Sequence, residues 1–238
     1  MPHTQHVDPA AGSHTPHADA PTHTGDSHSG GTHTVDPHHP DPGAPSHDPA
    51  LTGPPPATGI PHHPVDVPAD RVPPPLHRAE PLPTKDLGPA FPGENDPLNP
   101  NRAFYPRTVH YMDAAEREMH RVAVVDGTLH WSDGSILDTT AASTHWSPQA
   151  GKAIFVMDRD GNLFVSLEQD VGRLHHSSLL AGQPVAGAGE LAVQDGRLQL
   201  VTRASGHYRP TVAQQQAVLD ELARQGLDVS HTQLTEGF

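Results

Sequence analysis

Imidazole, hydroxyl and carboxylate side chains are concentrated in the stretch from Arg173 to Tyr208. This stretch contains the runs His175-His176-Ser177-Ser178, Ala188-Gly189-Glu190 and Ser205-Gly206-His207-Tyr208. Small residues beside the polar groups allow backbone to approach closely, as it does at a bound ligand. The polar residues also interrupt otherwise apolar strands, and such interruptions are concentrated at functional sites. The stretch is therefore the candidate site.

A purely structural role for the same residues stays open from spacing alone. Ser177 and Ser178 can cap the end of a strand, Glu190 can lie on a solvent-facing side, and Ser205–Tyr208 can form a turn. The Gly-containing run before Glu190 matches neither a phosphate-binding loop nor a dinucleotide fingerprint. Spacing by itself therefore names no ligand.

Histidine is abundant and cysteine is absent. Of the 21 His, 13 lie in residues 1–100, and the chain has no Cys, which excludes disulfides, thiolate-bound metals and a thiol nucleophile. Pairs such as His3/His6 and His14/His17 have the ligand type that zinc, nickel or copper prefers. Because nothing fixes their geometry, a solvated His-rich tail is favoured over metal capture, and no metal site is predicted.

Asp-Gly pairs and capping residues indicate the elements that would position the candidate site. Asp126-Gly127, Asp160-Gly161 and Asp195-Gly196 each separate two short apolar runs, which predicts three β-hairpins. Asp113 with Glu116 predicts the start of a short helix.

A second capping pair, Thr211 with Gln214, predicts a longer helix that ends at Gly226 and has one apolar face. The fold prediction is therefore α+β: a mostly antiparallel sheet of three hairpins with a C-terminal covering helix.

Composition divides the chain near residue 100. Residues 1–100 contain 24 of the 28 Pro, which predicts a disordered Pro/His-rich leader and linker. Residues 101–238 are predicted to form a compact α+β domain. The formal net charge of −14 argues against nucleic-acid and anionic-membrane partners. The first residues lack a signal-peptide pattern, so we expect secretion by a signal-peptide-independent route or a cytoplasmic location.

The segment HHSSLLAGQPVAGAGELAVQDGRLQLVTRASGHYRPT resembles the C-terminal region of plant IQ-motif calmodulin-binding proteins. In that family a similar HSS…AG…SGHY-x-PT segment follows a strand that corresponds to Lys152-Ala-Ile-Phe-Val here. The resemblance covers about residues 108–230. No Ile-Gln-x-x-x-Arg-Gly motif occurs in this chain, so the resemblance carries over the fold and not calmodulin binding.

The same segment also resembles C-terminal domains of bacterial polymorphic toxins and effectors, which follow Pro-rich leaders. Among these, mono-ADP-ribosyltransferases, which are glycosyltransferases, share its residue types. This resemblance implies transfer of ADP-ribose from NAD to a protein target, with an immunity protein as a second partner. A carboxylate would stabilise the oxocarbenium-like ribose.

On this resemblance the implied catalytic residues are Glu190, His176 and Ser177. The residues implied to contact NAD are Ser178, Arg173, Arg117, His207 and Tyr208. The alternative is a non-catalytic protein-interaction module related to the plant calmodulin-binding proteins. The two hypotheses differ in whether these groups reach a common pocket that can hold a dinucleotide.

Overall fold

Seven strands and three helices make up the core of the structure, a computed structural model that describes residues 65–149 and 151–237. The strands are β1 Arg121–Val125, β2 Thr128–Trp131, β3 Ala153–Met157, β4 Leu163–Ser166, β5 Gly187–Gln194, β6 Arg197–Thr202 and β7 Gln233–Thr235. The helices are α1 Ala114–Met119, α2 His176–Leu179 and α3 Val212–Arg224. A 3₁₀ turn covers Ala69–Arg71.

The strands form one mixed sheet in the order β2-β1-β4-β3-β5-β6-β7. The pairings from β2 to β6 are antiparallel, and β7 pairs in parallel with β6. The predicted α+β class is confirmed. The parallel strand was not predicted, because Gln233–Thr235 is short and exposed and has no alternating apolar pattern.

Asp-Gly turns connect β1 to β2 and β5 to β6. Asp126 and Gly127 have φ angles of 48° and 82°, and Asp195 and Gly196 have φ angles of 48° and 72°. Two successive positive φ angles match the right-handed twist of the strands that they join. At the turn between β3 and β4, the positive angle is at Gly161, with φ of 90°.

The sheet curls into a half-barrel because its β2 edge meets the turn between β5 and β6. The Leu129 N–H donates to the Gly196 carbonyl at 2.9 Å, and the Gly196 N–H donates to the Leu137 carbonyl at 2.8 Å. These bonds satisfy backbone groups that an open sheet edge would leave to solvent. The outer edge of β2 is thereby covered.

Both faces of the central strands are buried. Ala153, Phe155 and Met157 of β3 lie on a first face with α3, whose Val218 and Leu222 enter the same cluster. The other β3 residues, Ile154 and Val156, lie on a second face together with Leu179 of α2 and Tyr208. Burial on both faces explains why β3 is apolar throughout, although side chains alternate along a strand.

Residues 65–100, which the sequence predicts as part of the leader, contact the sheet in the structure. The Leu82 N–H donates to the Arg159 carbonyl at 2.8 Å, and Lys85 and Val185 exchange two backbone hydrogen bonds of 2.8 and 3.0 Å. Proline removes donors but keeps the backbone extended, so the N–H groups that remain can reach acceptors on the sheet. The prediction of disorder for residues 1–64 lies outside the described residues.

Candidate functional site

The run His175–Ser178 forms the start of α2, which packs against β3 and β4. The His175 N–H donates to Ser178 Oγ at 3.0 Å, and His175 Nε2 accepts from the Gly172 N–H at 2.7 Å. Nε2 of His176 lies 2.9 Å from the Gly189 carbonyl oxygen, to which it donates. The two imidazoles therefore hold backbone groups of the loop before α2 and of β5.

The two serines of this run are also interior. Ser177 and Ser178 are both 0% exposed. Ser178 Oγ is used by the N-terminus of its own helix, as described above. Among the residues that the structure describes, Ser177 Oγ is a buried side-chain oxygen without a hydrogen-bond partner.

Glu190 lies on the second face of the sheet and is 0% exposed. Its carboxylate accepts hydrogen bonds from Thr144 Oγ1 and, at 3.1 Å, from Ser147 Oγ. Both hydroxyls belong to the segment between β2 and β3. Lys152 Nζ is 3.7 Å from the same carboxylate. The segment that covers Glu190 thus encloses it and supplies its hydrogen bonds.

Glu94 is a buried carboxylate that the sequence analysis did not single out. It is 0% exposed, its Oε2 lies 3.1 Å from Nε2 of His207, and its Oε1 accepts from the Tyr111 hydroxyl at 3.2 Å. Glu94 and His207 are 113 positions apart in the chain. No local sequence pattern signals a contact of such separation.

Four rings pack together beside this contact, and we call them the histidine stack: Phe91, Phe104, His175 and His207. The ring centroids are 4.1 Å apart for Phe91 and His207, 4.6 Å for Phe104 and His175, and 4.7 Å for the two histidines. The stack joins the loops before α1 to the loops that precede α2 and α3. Here the histidines serve in packing as well as in hydrogen bonding.

The remaining predicted residues do not meet in one place. The Tyr208 hydroxyl donates to the Gln183 carbonyl at 2.9 Å, and the residue is 1% exposed. Arg173 and Arg117 line two separate clefts. The structure therefore groups His176, Ser177, Ser178 and Glu190 in the interior of the second face and leaves the two arginines apart. NAD binding by this set stays a prediction.

Burial sets the protonation of the groups in this region. Burial, with a smaller contribution from the neighbouring His207, lowers the pKa of His175 to about 4. It lowers the pKa of His176 to about 3, although the hydrogen bond to Gly189 acts in the opposite direction. The pKa of the Tyr111 hydroxyl is raised by burial and by Glu94, so this group remains a hydrogen-bond donor.

We expect the folded domain to lose stability as the pH falls below about 6.5, the ordinary pKa of histidine. Both pKa values are lower in the folded state, so the unfolded chain takes up the protons, and acid favours unfolding. Between about pH 6.5 and 5.5 the two imidazoles together reduce the free energy of unfolding by about 2 kcal/mol. Urea unfolding followed by circular dichroism measures this slope. A double variant, His175→Gln with His176→Gln, should flatten it; an equal slope in that variant would refute the assignment.

Two open clefts adjoin each other on the surface next to these buried groups. The first, of about 1200 Å³, is lined by Arg107, His110, Glu116 and Arg173 among others, and we call it the Arg173 cleft. The second, of about 650 Å³, is lined by apolar residues and carboxylates, and we call it the Trp131 cleft. The two share Glu168 and Leu174, so they form one continuous groove.

The apolar floor of the Trp131 cleft is formed by Met119, Trp131, Leu167 and Leu174. Met119 ends α1 and is 67% exposed. Trp131 and Leu167 are partly buried against the first core, and Leu174 against the second. Trp131, Leu167 and Leu174 are therefore fixed by packing against the core, and their other side is an apolar surface that faces solvent.

Most charges of the Arg173 cleft are already paired. Arg107 contacts Asp170 at 2.8 Å, and His110 contacts Glu116 at 2.9 Å. In the part of the chain that the structure describes, the side chains of Glu168 and Arg173 have no hydrogen-bond or ion-pair partner. The Arg173 cleft therefore offers one free carboxylate and one free guanidinium.

Neither a metal cluster nor a membrane span is found within residues 65–149 and 151–237. No three His, Asp or Glu side chains there come together in a way that would hold a metal ion. None of the helices there is both long and apolar enough to cross a bilayer. The His pairs of the first fifty residues lie outside the described residues.

Comparison with known proteins identifies a plant family over the same region. Residues 116–215 match the family described as "IQ motif-containing protein middle domain". The chain is 34% identical over 113 residues to IQ domain-containing protein IQM1 of Arabidopsis thaliana, which covers 48% of this chain and 22% of the relative. It is 36% identical over 104 residues to IQM3 of that plant, or 43% of this chain and 22% of the relative.

A third relative is similar in extent. IQ domain-containing protein IQM2 is 32% identical over 128 residues, or 53% of this chain and 20% of the relative. The matches thus span about a fifth of the length of these relatives. The family match over residues 116–215 includes His176, Glu190 and His207. No solved structure matches the chain.

The predicted likeness to plant IQ-motif proteins is confirmed, and the predicted bacterial toxin with ADP-ribosyltransferase activity is wrong. The family and the relatives that match are IQ domain-containing proteins, and none is a toxin or a glycosyltransferase. An immunity protein is expected only as the partner of a toxin, so that expectation is no longer supported. In the structure Glu190 and His176 are hydrogen-bonded to hydroxyls and backbone of their own domain, and a catalytic role for them stays a prediction.

Proposed function

We propose that the folded domain is a non-catalytic module that binds a segment of another protein in the groove formed by the Arg173 and Trp131 clefts. The match to the middle domain of IQ motif-containing proteins supports a domain that functions in protein assemblies. The chain contains no Ile-Gln-x-x-x-Arg-Gly motif. We therefore place the proposed binding site on the folded surface.

The observation that carries the proposal is the apolar floor at the bottom of an open, polar-rimmed groove. A central apolar patch inside a polar rim is the usual anatomy of a protein interface. The concave shape fits an extended or helical segment better than a flat protein surface. Meanwhile, the imidazoles of His175 and His176 and the carboxylates of Glu94 and Glu190 are engaged in the interior. The exposed groove, and not these groups, is where a partner has access.

We expect Met119→Asp to remove binding of the partner. A charge at the centre of an apolar contact weakens binding about tenfold or more. The full chain serves as bait in a lysate of the source organism, and retained proteins are quantified by mass spectrometry for each variant. At least one protein is expected to be held by the wild type and lost with Met119→Asp.

Val212→Asp is the matched control, because Val212 is 65% exposed and Met119 is 67% exposed, and both lie at the end of a helix. It places the same charge outside the groove, so it should retain the same protein as the wild type. Circular dichroism establishes that both variants are folded. The proposal fails when no retained protein separates the two variants.

A further inference from the structure

The Trp131 cleft carries charge of one sign around its apolar floor. Asp133 and Glu168 line it, and no Lys or Arg is among the lining residues. Its single imidazole, that of His120, has Nδ1 bonded to the Val165 carbonyl at 2.8 Å. The free guanidinium of Arg173 lies in the neighbouring cleft.

Asp133 is held in place as an anion. Its Oδ1 accepts from the Ser135 N–H at 2.9 Å and from the Ser135 hydroxyl at 2.6 Å. These bonds lower the pKa of the Asp133 carboxyl. They fix one oxygen of the carboxylate and leave Oδ2 without a partner among the described residues, so the group is ordered but still able to bind a cation.

Glu168 provides the second carboxylate at the point where the two clefts join. Its backbone is fixed by Ser166, whose Oγ donates to the Glu168 carbonyl at 2.9 Å. Its side chain is exposed and unpaired within the described ranges. The pair of carboxylates thus stands beside Met119 and Leu174, with no cation of the cleft to neutralise it.

We infer that the Trp131 cleft binds a segment of the partner protein in which Lys or Arg side chains flank an apolar side chain, and this inference rests on the proposed function. The apolar side chain contacts Met119, Trp131 and Leu167, and the basic side chains reach Asp133 and Glu168. Opposite charges across an interface select the partner and its register, and like charges reject alternatives. Acidic segments and nucleic acids are therefore excluded from this cleft.

The probes are three synthetic peptides of equal length and equal apolar content, with their polar positions filled by Lys, by Gln or by Glu. Binding to the full chain is measured by fluorescence anisotropy at low salt. The Lys peptide is expected to bind most tightly and the Glu peptide not at all. The double variant Asp133→Asn with Glu168→Gln should weaken the affinity for the Lys peptide about tenfold and leave the affinity for the Gln peptide unchanged.

A matched double variant controls for the overall negative charge of the chain. Asp228 accepts from the N–H and the hydroxyl of Ser230 at 3.0 and 2.7 Å, which repeats the turn at Asp133, and Glu80 is exposed; neither lines the cleft. Asp228→Asn with Glu80→Gln should leave binding of the Lys peptide unchanged. Equal weakening by the two double variants overturns the inference.

The outcomes separate this inference from the proposed function. If the Gln peptide loses binding with Met119→Asp but the Lys peptide binds the wild type no more tightly than the Gln peptide does, the inference is overturned and the groove remains the binding site. A Gln peptide that binds equally well to Met119→Asp and to the wild type overturns both. A Lys preference that depends on Asp133 and Glu168 supports the inference.

Discussion

Gly189→Ala is expected to destabilise the domain severely. A Cβ atom at this position would lie 2.0 Å from the backbone oxygen of Thr202 and 2.8 Å from its carbonyl carbon. Both contacts are with backbone, so no rotation of a side chain relieves them. The strands β5 and β6 would have to separate where Glu190 and Thr202 now share a hydrogen bond of 3.0 Å.

The expected cost is about 4 kcal/mol or more, which is a large part of the stability of a typical domain. Urea unfolding followed by tryptophan fluorescence measures it, and the soluble yield gives a second readout. Gly206→Ala is the control, because a Cβ there has no heavy atom within 4 Å and the φ angle is not positive. It should change the free energy of unfolding by less than about 1 kcal/mol. Similar stability of the two variants would contradict the close approach of β6 to Gly189.

This expectation also corrects the interpretation of the Ala-Gly-Ala-Gly-Glu run. In the sequence, the small residues of this run indicate a close approach to the backbone, as at a bound ligand. In the structure the approaching atoms belong to the domain itself. At Gly187 a Cβ would lie 2.2 Å from Cγ2 of Val218 in α3, and at Gly189 it would meet Thr202 in the next strand. The inference of a close approach was sound, but the sequence could not show what approaches.

Local signals in the sequence predicted local structure well. The capping box of Asp113 and Glu116 is present at α1, with both carboxylates bonded to backbone N–H groups as that motif requires. The helix that begins at Thr211 has the equivalent bonds to Gln214. These features depend on residues three positions apart, where the chain itself fixes the geometry.

Features that depend on distant residues could not be predicted in the same way. Glu94 belongs to a segment whose proline content indicates disorder, yet it is fully buried against His207. The Trp131 cleft combines α1, β2 and the loop after β4, and none of these segments alone suggests a groove. Charge and burial in such places result from tertiary packing, which a single sequence does not specify residue by residue.

His207→Phe is expected to destabilise the domain by about 3 kcal/mol or more. Phenylalanine retains an aromatic ring between Phe91 and His175, whose centroids lie 4.1 and 4.7 Å from that of His207. It removes the nitrogen that lies 3.1 Å from Glu94 Oε2, and a fully buried carboxylate is left with only the Tyr111 hydroxyl. Loss of one partner leaves a buried polar oxygen unsatisfied, and this costs more than the hydrogen bond contributes, because that oxygen stays out of water.

A matched pair on the surface, His110 and Glu116, tests whether burial causes the expected destabilisation by His207→Phe. His110 and Glu116 are 2.9 Å apart with side chains 50% and 38% exposed, so His110→Phe should cost less than about 1 kcal/mol.

Adding Glu94→Gln to His207→Phe should recover part of the lost stability, because an amide is neutral at any pH and its oxygen can still accept from the Tyr111 hydroxyl. Chemical denaturation of the four variants gives the coupling energy. The opposite outcome is a double variant that is destabilised by the sum of the two single destabilisations. In that case the effect of His207→Phe comes from ring packing alone. Glu94 then does not hold the loop of residues 91–111 against the loop before α3.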